Sequence, residues 1–273
     1  MIVVTGATGN VGRPLVQALV EAGEQVTAVS RRVAEVPAGV RFHQADLVEP
    51  ESLKPALDGA EALFLLTSAD FMANGDLVDV VEVVRTAGVR RVVLLSSQGV
   101  ETGRHPSNLE DAVTQSGLAW TMLRPGNFDS NAFQWADMVR TRRTVVAPFG
   151  DVGLPAIDPA DIAAVAAIAL REPGHEGNSY TLTGPVSISP RQQAAAIGDA
   201  VGEPVRFVEQ SREEARNQML GYLPEPVVEA TLGVLGTPSA DEQRVRPDAE
   251  RLLGRPPRAF AEWAARNAAA FKG

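Results

Sequence analysis

Residues 2 to 12, Ile2-Val3-Val4-Thr5-Gly6-Ala7-Thr8-Gly9-Asn10-Val11-Gly12, carry the densest chemical signal in the 273-residue chain. A β-branched apolar run leads into three glycines and then into the helical spacing Val11, Leu15, Leu19, Val20. That is the pattern of a buried strand, a tight turn and a helix packed back on the strand. Such a turn suits an anion. Gly6 permits the reversal, Gly9 lets a pyrophosphate approach the backbone, Gly12 allows close helix-on-strand packing, and the helix N-terminus presents N–H groups. No Gly-Lys-[Ser/Thr] follows, which excludes a Walker-type phosphate loop.

A second group of residues selects the dinucleotide. An acidic residue roughly 20 positions past the glycines would take a ribose 2′-hydroxyl, but Ser30, Arg31 and Arg32 stand there instead. Guanidiniums without a carboxylate suit a 2′-phosphate at ~1.5–3 kcal/mol per charge-assisted hydrogen bond, so the expected cofactor is NADPH. The competing reading is a solvated arginine pair in a surface loop. Thr67 and Ser68 follow the unbroken apolar run Ala62 to Leu66, and open α/β sheets bind ligands beyond the carboxyl ends of their strands, so these hydroxyls are expected in the same cleft.

The elements that must position these residues alternate. Strands are expected at residues 2–4, 25–30, 40–43, 62–66, 92–95, 119–123 and 179–182, with helices near 11–20, 75–87 and 159–170 between them. This predicts an α/β fold, a Rossmann doubly wound parallel sheet built from residues 1–130 with about 156–182. Residues 185–273 are expected to form a smaller C-terminal α+β lobe over the cleft. Its helices are placed at about 189–201, 211–220, 224–235 and 258–271, with a strand near Val205 to Val208. A helix is also expected from Ser130 to Arg140, with Arg140, Arg142 and Arg143 as its solvated basic end.

Composition removes several function classes. The absence of cysteine excludes disulfides, thiolate nucleophiles and cysteine-ligated metals. His43, His105 and His175 are scattered without metal-ligand spacing, so no metal is expected. A net charge of −9 argues against a nucleic-acid surface. No apolar stretch approaches the ~18–20 residues of a membrane span, and the first strand starts too early for a signal peptide, so a cytoplasmic protein is expected.

Further motifs point to a family. Ser96-Ser97 ends the fifth strand, Leu123-Arg124-Pro125-Gly126-Asn127-Phe128 ends the sixth, and Ile157-Asp158-Pro159-Ala160-Asp161-Ile162-Ala163 follows. Together with Thr5-Gly6-Ala7-Thr8-Gly9 they resemble the NmrA-like group of atypical short-chain dehydrogenases, and within it the bacterial NADPH-dependent quinone and triphenylmethane dye reductases. The resemblance covers most of residues 1 to 185. It implies cofactor contacts from Gly6, Thr8, Gly9, Asn10, Val11 and Gly12, from Asp46 and Leu47 at the adenine, and from Ser96 and Pro125. Asp46 has a competing role as a strand end and helix cap.

In the wider superfamily a serine after the fifth strand works with a Tyr-x-x-x-Lys pair. Thr102 and Pro106 occupy those two positions here, and neither Tyr180 nor Tyr222 has a lysine four residues on. With no such pair, the simplest expected reaction is hydride transfer to a quinone-like or otherwise conjugated small molecule. Ser97, Asn127 and His105 are then the candidate catalytic residues, holding the acceptor oxygen, with Phe128 beside them; a plain loop histidine competes with the role for His105. The alternative is a non-catalytic NAD(P)-binding redox sensor of the NmrA type. A monomer or homodimer is expected.

Overall fold

The computed structural model describes residues 1–273 apart from the side chain of Ala69. Its strands are β1 (Ile2–Val4), β2 (Val26–Ser30), β3 (Arg41–Gln44), β4 (Ala62–Leu65), β5 (Arg91–Leu95), β6 (Ala119–Pro125), β7 (Thr144–Ala147), β8 (Asn178–Leu182) and β9 (Arg206–Glu209). Seven of them form one sheet in the order β3-β2-β1-β4-β5-β6-β8, and every pairing is parallel. The expected doubly wound α/β fold is therefore present. Strand order reverses between β1 and β4, the place where such sheets leave a crevice at their carboxyl edge.

The chain divides into two compact units. One contains Met1–Pro125, Pro159–Leu182 and Arg251–Gly254; the other contains Gly126–Asp158, Thr183–Glu250 and Arg255–Gly273. In the first, β1, β2 and β4 are buried along their whole length, as strands covered on both faces must be. Alternation decides the faces. Val3, Leu63, Val92, Leu94 and Met122 meet Val80 and Val84 of the helix Leu77–Thr86 in one core. The helices Gly12–Glu21 and Pro159–Arg171 pack on each other, and the second of them lies on β4, β5 and β6.

In the second unit, Trp135, Val139, Val145, Ile197, Trp263 and Phe271 form a core, with Phe133 edge-on to Trp263 at 4.9 Å. The helix Pro190–Val201 begins with a reciprocal Ser189/Gln192 capping box and ends at Gly202 with φ +83°, the start and stop chemistry expected for such a helix.

Local structure departs from expectation in several places. The helix expected over 130–140 opens as a 3-10 segment, Asp129–Trp135, and becomes α-helical only at Ala136–Arg142. Arg143 is only partly exposed: it terminates that helix with φ +48°, donates to the Val139 carbonyl at 3.0 Å and pairs with Glu203 at 2.7 Å. The strand β7 that follows, paired with β9 in a separate parallel ribbon, is unexpected, as are the short helices Ala69–Asn74, Gln98–Glu101 and Asn108–Thr114.

At the carboxyl ends of β5 and β6 lies an ion pair that the sequence does not announce. The Glu110 carboxylate accepts from Arg124 Nε at 2.9 Å, from a second Arg124 nitrogen at 2.5 Å and from Ser96 Oγ at 2.5 Å. Burial by itself would raise the pKa of this carboxyl, but the hydrogen bonds from Arg124 and Ser96, with the arginine charge, hold it below its ordinary value. A lowered folded-state pKa means that the pair's stabilisation is present above the unfolded value, near 4.5, and is lost as pH falls through the folded one. Glu110→Gln should therefore cost about 2–3 kcal/mol at neutral pH, at or below the bottom of the ~3–5 kcal/mol range for breaking fully buried pairs because Arg124 is partly exposed. It should also flatten the acid limb of a stability–pH curve; an unchanged melting temperature and acid limb would show that the pair contributes nothing.

Candidate functional site

The glycine turn is stitched between its neighbouring strands. Thr5 N–H donates to the Phe64 carbonyl at 3.0 Å, Thr5 Oγ1 accepts from Leu66 N–H at 2.8 Å, and Ala7 N–H donates to the Val29 carbonyl at 3.1 Å. Gly6 takes φ +62°, a region open to glycine. A Cβ on Gly12 would lie 2.1 Å from the Gly6 carbonyl oxygen, whereas one on Gly9 would meet only that oxygen at 3.3 Å. Gly12 is thus a packing glycine, and Gly9 is exposed. No side chain caps the helix Gly12–Glu21, which leaves its start to an incoming anion.

In front of this turn, at the carboxyl edge of β1, β2 and β4, is a cleft of about 400 Å³. Gly6, Thr8 and Gly9 form one side of it, Arg31 and Arg32 another, and Asp46, Leu47 and Ser68 complete it. Eight residues expected from the sequence to meet the cofactor are brought together here. The Asp46 carboxylate accepts from Val48 N–H at 3.1 Å, while Ser52 Oγ donates to its carbonyl at 3.0 Å. The Asp46 carboxylate thus closes a turn after β3 and also lines the cleft, but it caps no helix: the 3-10 segment Pro50–Leu53 has no side-chain cap. The Arg32 guanidinium makes no hydrogen bond or ion pair among the described residues, and Arg31 pairs with Asp70 at 3.4 Å.

Other expected contacts lie elsewhere. Val11 and Gly12 are buried beneath the turn, Asn10 is exposed beside it, and Pro125 is buried at the end of β6. Thr67 Oγ1 points to the sulfur of Met72, and Ser96 is committed to Glu110.

Ser97 and His105 do meet. Ser97 caps the helix Gln98–Glu101, with its Oγ accepting from Gly99 N–H at 3.0 Å and standing 3.0 Å from His105 Nδ1. The loop returns tightly because Arg104 and His105 N–H both donate to the Gly99 carbonyl, at 2.8 and 2.9 Å. A Cβ on Gly99 would stand 2.5 Å from the imidazole, so the glycine makes room for the ring. Asn127 and Phe128 belong to the second unit, where Asn127 Oδ1 accepts from Asn131 at 2.6 Å and Phe128 bridges to Ile157. Tyr180 lies buried in β8, with its hydroxyl 2.9 Å from His175 Nδ1, and Tyr222 is exposed in the second unit. Thr102 donates to the Gln98 carbonyl at 3.4 Å. His43 lies in β3 against the Ser52 carbonyl at 3.0 Å.

The residues fit a dinucleotide with a 2′-phosphate: an open glycine for the pyrophosphate, an uncapped helix start, and arginines at the adenosine end. Sequence reasoning missed Asp70, Glu110 and Arg124 as neighbours of these groups.

Comparison with known proteins agrees. The NAD(P)H-binding family model matches residues 6–173. A (4-alkanoyl-5-oxo-2,5-dihydrofuran-3-yl)methyl phosphate reductase from Streptomyces griseus is 38% identical over 99% of both chains. An NAD(P)H azoreductase from Xenophilus azovorans is 35% identical, again over 99% of both. Among solved structures, the NADPH complex of an NADPH-dependent quinone oxidoreductase from Escherichia coli superposes with a TM-score of 0.81 at 25% identity, covering 98% of this chain and 99% of that one.

The two glycines should behave oppositely. Gly9→Val should stay folded and lose the stabilisation that NADPH confers in thermal shift, because its side chain occupies the pyrophosphate position. Gly12→Ala should lower the melting temperature by roughly 2–12 °C, the ~1–3 kcal/mol of overpacking taken at ~2–4 °C per kcal/mol. A Gly9→Val protein that NADPH stabilises to the wild-type extent would place the ligand elsewhere.

Proposed function

We propose, from the premise that this chain belongs to the NAD(P)H-binding family, that it is an NADPH-dependent reductase of a quinone-like or otherwise conjugated small molecule. The observation that carries this reading is the pairing of Ser97 Oγ with His105 Nδ1 at 3.0 Å beyond β5, in a chain whose tyrosines are both committed elsewhere or distant in sequence from that strand. The reductases among its relatives support the same class.

When bound, the cofactor supplies the hydride. The chain's own residues supply position and a proton. Gly6, Thr8 and Gly9 bind and orient the pyrophosphate, and Arg31 and Arg32 take the 2′-phosphate. Ser97 Oγ is fixed by Gly99 N–H, which leaves the hydroxyl hydrogen for an acceptor oxygen. With the Nδ1–H tautomer, His105 passes that proton to Ser97 Oγ as solvent delivers one to Nε2 of its exposed ring, so the imidazole is neutral before and after. Asn127 is carried over from the motif after β6 as a further polar contact to the acceptor. A conjugated acceptor needs little more, since its charge is delocalised as the hydride arrives, and holding the two reactants in register removes several kcal/mol from the barrier.

NADPH oxidation, followed by loss of its near-ultraviolet absorbance against a panel of quinones and delocalised cationic dyes, tests the reading. Turnover is expected, with Tyr180→Phe and Tyr222→Phe within about twofold of wild type and Ser97→Ala lowered about ten- to a hundredfold on quinones, whose reduction needs a proton. Tight NADPH binding without turnover on any acceptor would favour a redox sensor. Loss of turnover in a folded tyrosine variant would restore an acid-assisted mechanism.

A further inference from the structure

The mouth of the cleft holds an unequal pair of arginines. The Arg32 guanidinium makes no hydrogen bond or ion pair among the described residues, whereas Arg31 NH1 lies 3.4 Å from Asp70 Oδ2. Both arginines sit on a backbone fixed from behind. Ser30 Oγ donates to the Arg32 carbonyl at 2.5 Å, and Gln44 Nε2 donates to the Arg31 carbonyl at 2.9 Å.

Asp70 is held with similar care. It lies in the first turn of the helix Ala69–Asn74, whose cap Ser68 accepts from Phe71 N–H at 3.2 Å and itself borders the cleft. Asn74 Nδ2 donates both to the Asp70 carbonyl and to its Oδ1, each at 3.2 Å, leaving Oδ2 toward Arg31. The carboxylate therefore reaches from the end of β4 to the end of β2. The other acid at the cleft, Asp46, has one carboxylate oxygen engaged by Val48 N–H.

We propose that Asp70 is a specificity-determining residue: its carboxylate competes with the 2′-phosphate of NADPH for Arg31 and so narrows the preference for NADPH over NADH. This rests on the reading that the cleft takes NADPH with Arg31 at its 2′-phosphate. NADH, with a neutral hydroxyl there, leaves the ion pair intact. NADPH must draw Arg31 away, and it then places a phosphate beside a carboxylate that has lost its partner. Both side chains are about half exposed, at 52% and 53%, so the pair is weak and the phosphate wins the exchange. The consequence is a modest and salt-sensitive reduction in selectivity.

Fluorescence titration of NADPH and NADH against wild type, Asp70→Asn, Arg31→Ala and the double variant tests this. Asparagine keeps the shape and the Asn74 contacts while removing the charge. Asp70→Asn should tighten NADPH about two- to fivefold, the span measured for exposed ion pairs, and leave NADH unchanged. In the Arg31→Ala background the gain should fall to the carboxylate–phosphate repulsion alone, and with Arg31 present it should shrink between about 20 mM and 300 mM salt. Equal shifts for both cofactors, or weaker NADPH binding in Asp70→Asn, would overturn the proposal. If Arg31→Ala lowers the NADPH:NADH ratio but Asp70→Asn does not raise it, this inference alone falls; if Arg31→Ala leaves the ratio unchanged, the assignment of Arg31 to the 2′-phosphate falls with it.

Discussion

The cleft depends on one backbone contact. The helix Gly12–Glu21 can start where it does because the Gly12 Cα face lies against the Gly6 carbonyl, with a Cβ excluded at 2.1 Å. That contact brings the helix start up behind the end of β1, and the hydrogen bonds of Thr5 to β4 and of Ala7 to β2 then fix the turn on both sides. A strand, a turn with φ +62° at Gly6 and an uncapped helix thereby make a seat that fits an anion. Gly9 is the part of the turn that remains open, and openness is what a pyrophosphate requires.

The carboxyl end of β5 is supported differently. Ser96 and Ser97 are adjacent, yet their hydroxyls have separate duties: Ser96 is anchored to the Glu110–Arg124 pair, and Ser97 faces Gly99 and His105. The first hydroxyl is thus tied to a largely buried charge pair, while the second is held by its own loop. The loop after β5 also shows what stands at the two positions where the superfamily carries its tyrosine and lysine. Thr102 and Pro106 belong to a tight loop that bends back on the Gly99 carbonyl, and the imidazole of His105 occupies space that a side chain at position 99 would fill.

What was legible in the sequence was local and periodic. The strand–glycine–helix run, the arginines after β2 and the hydroxyls after β4 and β5 each lie within a few residues of a strand end, and the parallel sheet brings strand ends together without further information. Partners supplied by other segments were not legible. Asp70 is 39 residues from Arg31, and nothing in the run around it marks a carboxylate aimed at β2. Ser107-Asn108-Leu109-Glu110 has the spacing of a capping box, but Ser107 makes no such cap; it donates to Asp111, and Glu110 turns inward to Arg124. The strand Thr144–Ala147 escaped because it is short and follows a basic helix end, although Arg143 with φ +48° marks the break between them. Asn127 and Phe128 were placed by motif alone, and the structure assigns them to the second unit.

The central claim is that this chain carries out reduction rather than only binding a nucleotide, and an isotopic label tests it most directly. NADPH deuterated at the transferring carbon would be oxidised by the protein in the presence of a delocalised carbocation dye, and the reduced product examined by mass spectrometry. Retention of one deuterium on the product carbon, with slower oxidation of the labelled cofactor, is the predicted result. Saturable binding of NADPH with no deuterium delivered to the dye, or to any conjugated acceptor that retains the label on carbon, would contradict the account.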